Sequence, residues 1–362
     1  MTQPEPKAGI TQIKPYVGGK SKSDGVTQTI KLSSNENPWG PSPRAVAAYG
    51  MAAGQLQRYP DGAHGTLREM IGRVHGLPPE QLICGAGSDE LLGLLVHAYA
   101  GVGDEVLFTE HGFLMYRIYT LANGATPVTA AENNLTTDVD ALLAKVTAKT
   151  KIVFLANPNN PTGTVIPFSE VKRLREALPP QVILGLDAAY AEYIDDPAYD
   201  AGASLVTAGT NSIMFRTFSK IYGLPAIRLG WAYAPPAMID ILNRVRSPFN
   251  VTAPALLAGL AAVEDQDYIA EMRMKNTQER VRVTEALQAL GLQVIPSQTN
   301  FVLVKFGASA ASANQYLMAR GLIVREVGNY GLPEYLRISI GTTDENTQLL
   351  AALSDFSAQH AA

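Results

Sequence analysis

A lysine set among hydroxyls, with an arginine a short way downstream, is equipped for covalent chemistry. In "RTFSKIYGLPAIRLGW", residues 216–231, Lys220 follows the apolar run "SIMF", shares a turn with Thr217 and Ser219, and has Arg228 close behind. Desolvation and neighbouring positive charge lower a lysine pKa, and the neutral amine can then form a Schiff base. A phosphorylated aldehyde suits such a place, because a guanidinium and hydroxyls bind phosphate. Standing alone, Lys220 would read as a solvated lysine, so the assignment rests on what else the chain provides.

A phosphate needs donors, and "CGAGSDELLGLL" supplies them: a strand end at Ile83–Cys84, a glycine turn at Gly87, then an apolar-periodic helix starting near Ser88. Backbone N–H groups at a helix start, with the Ser88 hydroxyl, make an anion site. The same residues also read as an ordinary Ser-capped helix. The stretch lacks the Gly-Lys-Ser/Thr of a Walker loop and the spacing of a dinucleotide fingerprint. "VILGLDAAYAEY" ends a hydrophobic strand on Asp187, where an isolated carboxylate is costly without a partner. A protonated pyridine nitrogen would be such a partner and would turn the ring into an electron sink, though an Asp there can also cap the next turn. In "FLANPNNPTGTV" the Asn-Pro pairs predict a tight turn. Asn160 from that turn, and Tyr190 from the Asp187 segment, could hydrogen-bond a phenolic oxygen on the same ring or serve the turns alone.

These pieces need a frame that brings strand ends together. The runs "DEVLFTE", "TPVTA", "KIVFLANP", "QVILGLDAAY", "SIMFRTFSK" and "RLGWAYAPP" alternate with helical patterns, which predicts an α/β fold with a mostly parallel sheet covered by helices on both faces. Ligands of open α/β sheets gather at the carboxyl ends of the strands, where every candidate above lies. From Pro254, "PALLAGLAAVEDQDYIAEMRMKNTQERVRVTEALQALG" reads as one or two long helices. The strands "TNFVLVKF", "GLIVREV" and "LRISIGT" follow and make a second, smaller α+β domain. The expected division is an N-terminal arm over residues 1–30, a large domain over 31–245 and a small C-terminal domain over 246–362.

Composition narrows the function. With 362 residues, 46% hydrophobic, the chain can bury a large core, while 17% charged residues and a net charge of −4 leave neither a basic face for nucleic acid nor an acidic tail. Small molecules are the expected partners. The single cysteine, Cys84, excludes an intrachain disulfide and reads as a buried structural thiol. Five scattered histidines argue against a metal site. The N-terminus "MTQPEPKAGITQIKPY" has no apolar signal core, and no run approaches the roughly 20 apolar residues of a membrane span, so a cytoplasmic protein is expected.

The set GAGSDE, NPNNPTG, LDAAY, TFSK and Arg228, in this order along most of the chain, resembles the fold-type-I pyridoxal-phosphate (PLP) aminotransferases. Within them, "IKPYVGGK", "LSSNENPWGPSP", "RYPDG" and "YLRISIGT" are similar to the class II histidinol-phosphate aminotransferases, and related aromatic aminotransferases share much of this set. The resemblance implies a mostly parallel seven-stranded sheet in the large domain and PLP bound to Lys220, which would also shuttle a proton. It pairs Asp187 with the ring nitrogen and sets Asn160 and Tyr190 on the phenolic oxygen. Gly87, Ser88, Asp89 and Glu90 through their backbone, with Thr217, Ser219 and Arg228, would surround the phosphate. In "EHGFLMYRIY", Phe113 takes the place where the family usually stacks a tyrosine on the ring, which keeps the aromatic face and loses a hydroxyl. Arg337, otherwise a snorkelling strand residue, becomes the fork for the glutamate carboxylate. Arg325, which also reads as a solvated strand-end charge, would share that duty, with Tyr16 and Asn35 closing the site. Tyr59 would reach the phosphate of a neighbouring subunit, implying a homodimer with shared sites.

The implied reaction is amino transfer from L-histidinol phosphate to 2-oxoglutarate, a step of histidine biosynthesis. The alternatives are an aromatic (tyrosine or phenylalanine) aminotransferase and a PLP-dependent decarboxylase of an amino-acid phosphate. A PLP-sensing transcription regulator would need a DNA-binding module, and the roughly 30 residues before "LSSNENPWG" are too few for one.

Overall fold

In this computed structural model, which describes residues 4–20, 29–209 and 211–360, seven strands form the central sheet. Their spatial order is Leu82–Gly85, Gly230–Tyr233, Ser212–Thr217, Ile183–Asp187, Thr150–Ala156, Glu105–Thr109 and Thr126–Ala130. Gly230–Tyr233 runs antiparallel to both neighbours and the other pairings are parallel. Six strands therefore end at one edge.

The central strands are buried on both faces, as the unbroken apolar runs require. Ile152 and Phe154 face a cluster built by the helices Ser88–Tyr99, Leu114–Ala122 and Pro236–Val245. Val153 and Leu155, one residue out of phase, face the helices Val139–Ala144 and Phe168–Ala177. This period of two lets each strand hold two helical layers.

A second sheet of four antiparallel strands has the order Gln293–Ile295, Phe301–Lys305, Tyr335–Ser339, Arg325–Glu326. Its core includes residues of the helices Gln266–Ala289, Ala310–Ala319 and Thr343–His360. The packing departs from the expected divisions at both ends. Ile30–Lys31 pair in parallel with Leu322–Ile323, and Leu32 lies in the core of this second sheet rather than the large one. The helix Ala253–Glu264, expected in the small domain, packs in the large core, where a Cβ at Gly259 would collide with Leu229. Ile269 and Met272 of the long helix join that same core, so a boundary at 245/246 cuts through packed elements. Residues 1–3 and 21–28 of the expected arm lie outside the described residues. Residues 9–17 run along the helix Leu114–Ala122, with Gly9 over the Leu121 carbonyl, and the Lys20 carbonyl accepts from Ser33.

Candidate active site

A cavity of about 300 Å³ opens where the strand carboxyl ends meet the arm and the second sheet. Lys220 enters it just past the strand Ser212–Thr217, its Nζ donating to the Ser34 carbonyl at 3.4 Å and lying 5.6 Å from the Tyr190 ring centre. Burial, and then the charge of Arg337, bring its pKa from an ordinary 10.5 down to about 8. An appreciable share of the amine is thus neutral near neutral pH.

The glycine turn before the helix Ser88–Tyr99 makes one end of the cavity. Gly87 holds φ at 83° as the helix cap, and no side chain caps this terminus. The Ser-capped reading is therefore replaced: Ser88 is the first helical residue, and its hydroxyl is not spent on the cap. A Cβ on Gly230 would collide with the Ser88 amide, and one on Gly87 with the Arg228 guanidinium, so the absence of a side chain at both positions lets these donors pack close together. Arg228 donates to Ser219 Oγ at 3.2 Å and pairs with Asp89 at 3.0 Å, and Thr217 Oγ1 accepts from the Ser219 amide at 3.1 Å. Ser88, Asp89, Thr217, Ser219 and Arg228 all line the cavity. Glu90 points elsewhere: its carboxylate accepts from the Ala86 amide at 2.5 Å and from Asn250 at 2.7 Å, bracing the turn from behind.

Asp187 lines the middle of the cavity and is only 7% exposed. Its Oδ2 accepts from the Tyr116 hydroxyl at 2.7 Å and its Oδ1 from the Ala189 amide at 3.2 Å. Burial pushes its pKa up to about 6 against these two bonds. Tyr190 accepts from Asn35 Nδ2 at 2.9 Å, and burial raises its phenol to about 12. Asn160 sits in the predicted turn, which Asn159 closes with backbone bonds to Thr164 and Gly163. Phe113 ends the loop before the helix Leu114–Ala122 and meets Tyr116 edge-on at 5.8 Å.

At the other end lie two arginines. Arg325 and Arg337 are direct partners across adjacent antiparallel strands, 8% and 6% exposed. Like charges so placed repel, and each side chain is held by neutral oxygens instead: Arg325 by the Val17 carbonyl at 2.8 Å, Arg337 by the Ser33 carbonyl at 3.0 Å and by Asn160 Oδ1. Among the described residues neither forms an ion pair with a carboxylate, and Arg337 Nε has no hydrogen-bond partner. Two buried cations without counter-charge make a site that favours anions. Tyr16 and Asn35 complete this end, Asn35 with a φ of 54° and bonds from its amide to Ser339 and to its carbonyl from Asn300.

The structure thus gathers the sequence candidates into one cavity with three exceptions, the first being Gly87, which caps the helix beside Arg228 without lining the cavity itself. Glu90, expected to contribute through its backbone, does not line the cavity and turns its side chain away from it, and Tyr59, 82% exposed and stacked on Phe249 at 4.5 Å, lies outside it. Cys84 is fully buried, with its thiol pushed up to about 12 by burial, and takes no part. Sequence reasoning missed Tyr116 and Ser34. Tyr116 could have been found from its place one helical turn after Phe113, which sets both rings on one face. Nothing local marks Ser34. No group of His, Cys, Asp and Glu among the described residues could hold a metal ion, and no described helix is long and apolar enough to cross a membrane.

Comparison with known proteins gives one consistent result. A family model described as "Aminotransferase class I and II" matches residues 27–353. The histidinol-phosphate aminotransferase of Rhodopseudomonas palustris (strain HaA2) is 52% identical over 364 residues, 99% of this chain and 100% of its own length. That of Granulibacter bethesdensis is 52% identical over 361 residues, covering 99% and 98%. Among solved structures, the histidinol-phosphate aminotransferase of Sinorhizobium meliloti in complex with pyridoxal-5'-phosphate superposes with a TM-score of 0.89 at 31% identity over 97% of each chain. An aspartate aminotransferase mutant of Thermus thermophilus, at 21% identity and a TM-score of 0.84 over 98% of this chain and 100% of that one, shares the fold.

Proposed function

The chain belongs to the class I and II aminotransferases, and within them to the histidinol-phosphate aminotransferases; from that premise we propose that it moves the amino group of L-histidinol phosphate to 2-oxoglutarate, giving imidazole-acetol phosphate and L-glutamate. Its cofactor is pyridoxal phosphate. The residues fit that group: an amine, a buried carboxylate, and a helix N-terminus with Ser88, Thr217, Ser219 and Arg228 lining the same cavity, packed so closely that only glycine is accommodated at 87 and 230. When bound, pyridoxal phosphate supplies a carbonyl that reacts with amines and a ring that withdraws electrons from the carbon attached to the nitrogen.

The chain's own groups do the rest. Lys220 Nζ, with its pKa lowered to about 8, is the covalent anchor and can take up or give back a proton near neutral pH. With the cofactor bound, Asp187 would supply a negative charge for the ring nitrogen, Asn160 and Tyr190 would offer hydrogen bonds to the phenolic oxygen, and Phe113 would give the ring an aromatic face. The Ser88 amide, Thr217, Ser219 and Arg228, which line one end of the cavity, would hold the cofactor phosphate at the helix N-terminus. Arg325 and Arg337 bind the substrate anions in turn, first the phosphate of the amino donor and then a carboxylate of the acceptor.

The observation that carries this reading is the buried pair Arg325 and Arg337, unpaired by carboxylates and sharing one cavity with Lys220 and Asp187. It is tested by following glutamate formation from L-histidinol phosphate and 2-oxoglutarate with the PLP-loaded protein, and by comparing kcat/KM with that for tyrosine and phenylalanine. Efficient turnover of the aromatic amino acids with none of histidinol phosphate would overturn it.

The assembly belonging to this reading is a homodimer. Tyr59, exposed and outside its own cavity, would reach the cofactor phosphate of the neighbouring copy. The single cysteine, free and buried, suits the reducing cytoplasm.

A further inference from the structure

Tyr116 has every mark of a core aromatic: it is 1% exposed, stacked on Phe154 at 4.6 Å and 12°, with Phe108 and Phe113 at its edges. Yet its hydroxyl does not point at apolar surroundings. It donates to Asp187 Oδ2 at 2.7 Å across a sequence distance of 71 residues. We propose that Tyr116 is a positioning residue of the reaction, whose hydroxyl holds the Asp187 carboxylate as the ionised, correctly turned partner of the cofactor ring nitrogen. The role rests on the aminotransferase reading above.

Three features carry it. The phenol keeps its proton and so donates to the carboxylate, because burial and the adjacent Asp187 raise its pKa far above the ordinary value. It therefore engages one carboxylate oxygen, leaving Oδ1 with the 3.2 Å bond from the Ala189 amide and capacity for a further donor. Phe113 and Tyr116 lie within one turn at the start of the helix Leu114–Ala122, so the ring that lines the cavity and the hydroxyl that orients the acid move as a unit. Finally, the other charged groups acting on Asp187 oppose one another: Asp89 from the helix Ser88–Tyr99 favours its protonated form, Lys220 its ionised form. The Tyr116 bond favours the carboxylate and opposes the larger effect of burial. Were the carboxylate more basic, it would compete with the ring nitrogen for the proton the reaction needs there.

Tyr116→Phe keeps the ring stacking and removes only the donor. In the holoenzyme loaded with 15N-labelled pyridoxal phosphate, the ring-nitrogen chemical shift reports the proton's position. The variant should move the proton about tenfold toward the carboxylate, a difference of about 1.4 kcal/mol. The 15N signal should shift toward that of an unprotonated ring, while near-UV circular dichroism stays as in the parent. In an Asp187→Asn background, Tyr116→Phe should have no further effect on the signal. An unchanged 15N shift and pH profile in a folded, PLP-loaded Tyr116→Phe protein overturns this role alone. A parent protein that takes up no PLP on Lys220 overturns the aminotransferase reading and this role with it.

Discussion

Replacing Arg337 tests two consequences of one charge. The guanidinium is 6% exposed, lies cross-strand from Arg325, and is one cause of the lowered Lys220 pKa. Arg337→Met should therefore remove an anion-binding fork and release part of the pressure on the lysine. A charge-assisted hydrogen bond contributes about 1.5–3 kcal/mol, so kcat/KM for histidinol phosphate should fall about 10- to 150-fold. The Lys220 pKa should rise from about 8 but stay short of its ordinary 10.5, because burial is the larger cause. The neutral amine would then appear at higher pH, and the pH profile for capture of pyridoxal phosphate by cofactor-free protein should move to the alkaline side. Arg337→Lys separates the two effects: the charge remains while the planar fork is lost. Its capture profile should stay near that of the parent while kcat/KM still falls. Stopped-flow absorbance gives the first quantity and steady-state glutamate release the second. An Arg337→Met protein whose capture midpoint does not move and whose kcat/KM stays within about twofold of the parent would refute the argument from buried, unpaired charge.

Three further outcomes follow from the same geometry. Asp187 has a folded-state pKa near 6, above the ordinary 3.8, so its contribution to stability is complete below about pH 4 and is lost as pH rises through 6; cofactor-free Asp187→Asn should match the parent's relative stability at pH 4 and exceed it by about 2–3 kcal/mol at pH 8, and parallel denaturation curves at both pH values would count against the buried-acid account. Gly230→Ala places a methyl against the Ser88 amide and should weaken pyridoxal phosphate binding by about 1–3 kcal/mol in an absorbance titration, whereas parental affinity would show that this amide does not face the phosphate. Mixing Lys220→Ala with Tyr59→Phe chains should give more activity than the sum of the two alone, since one hybrid site then holds both residues; full activity in a monomer would exclude a shared site.

Much of this protein could be read from neighbours along the chain. Runs such as "KIVFLANP" and "QVILGLDAAY" carry the burial of their strands in their own composition, because a strand covered on both faces needs an unbroken apolar run. Since parallel strands all end at one edge, the polar residues that close those runs were bound to meet, and Lys220, Asp187, Asn160 and Ser88 do so. What the sequence could not decide is which distant groups complete them. Arg337 reaches Ser33 and Asn35 reaches Ser339 across 304 residues, and Tyr116 reaches Asp187 across 71, through contacts that exist only once two sheets and the arm have packed. The placing of Arg325 opposite Arg337 is a matter of strand register, and the turning of Glu90 onto Asn250 depends on a loop 160 residues away. Even the domain edges follow packing rather than composition: the helix Ala253–Glu264 joins the large core because Gly259 lets it approach Leu229, a fit that no local pattern announces. Periodicity and turn chemistry are properties of adjacent residues, whereas hydrogen-bond partners and the charges that shift a pKa are set by whatever the folded chain brings within a few ångströms.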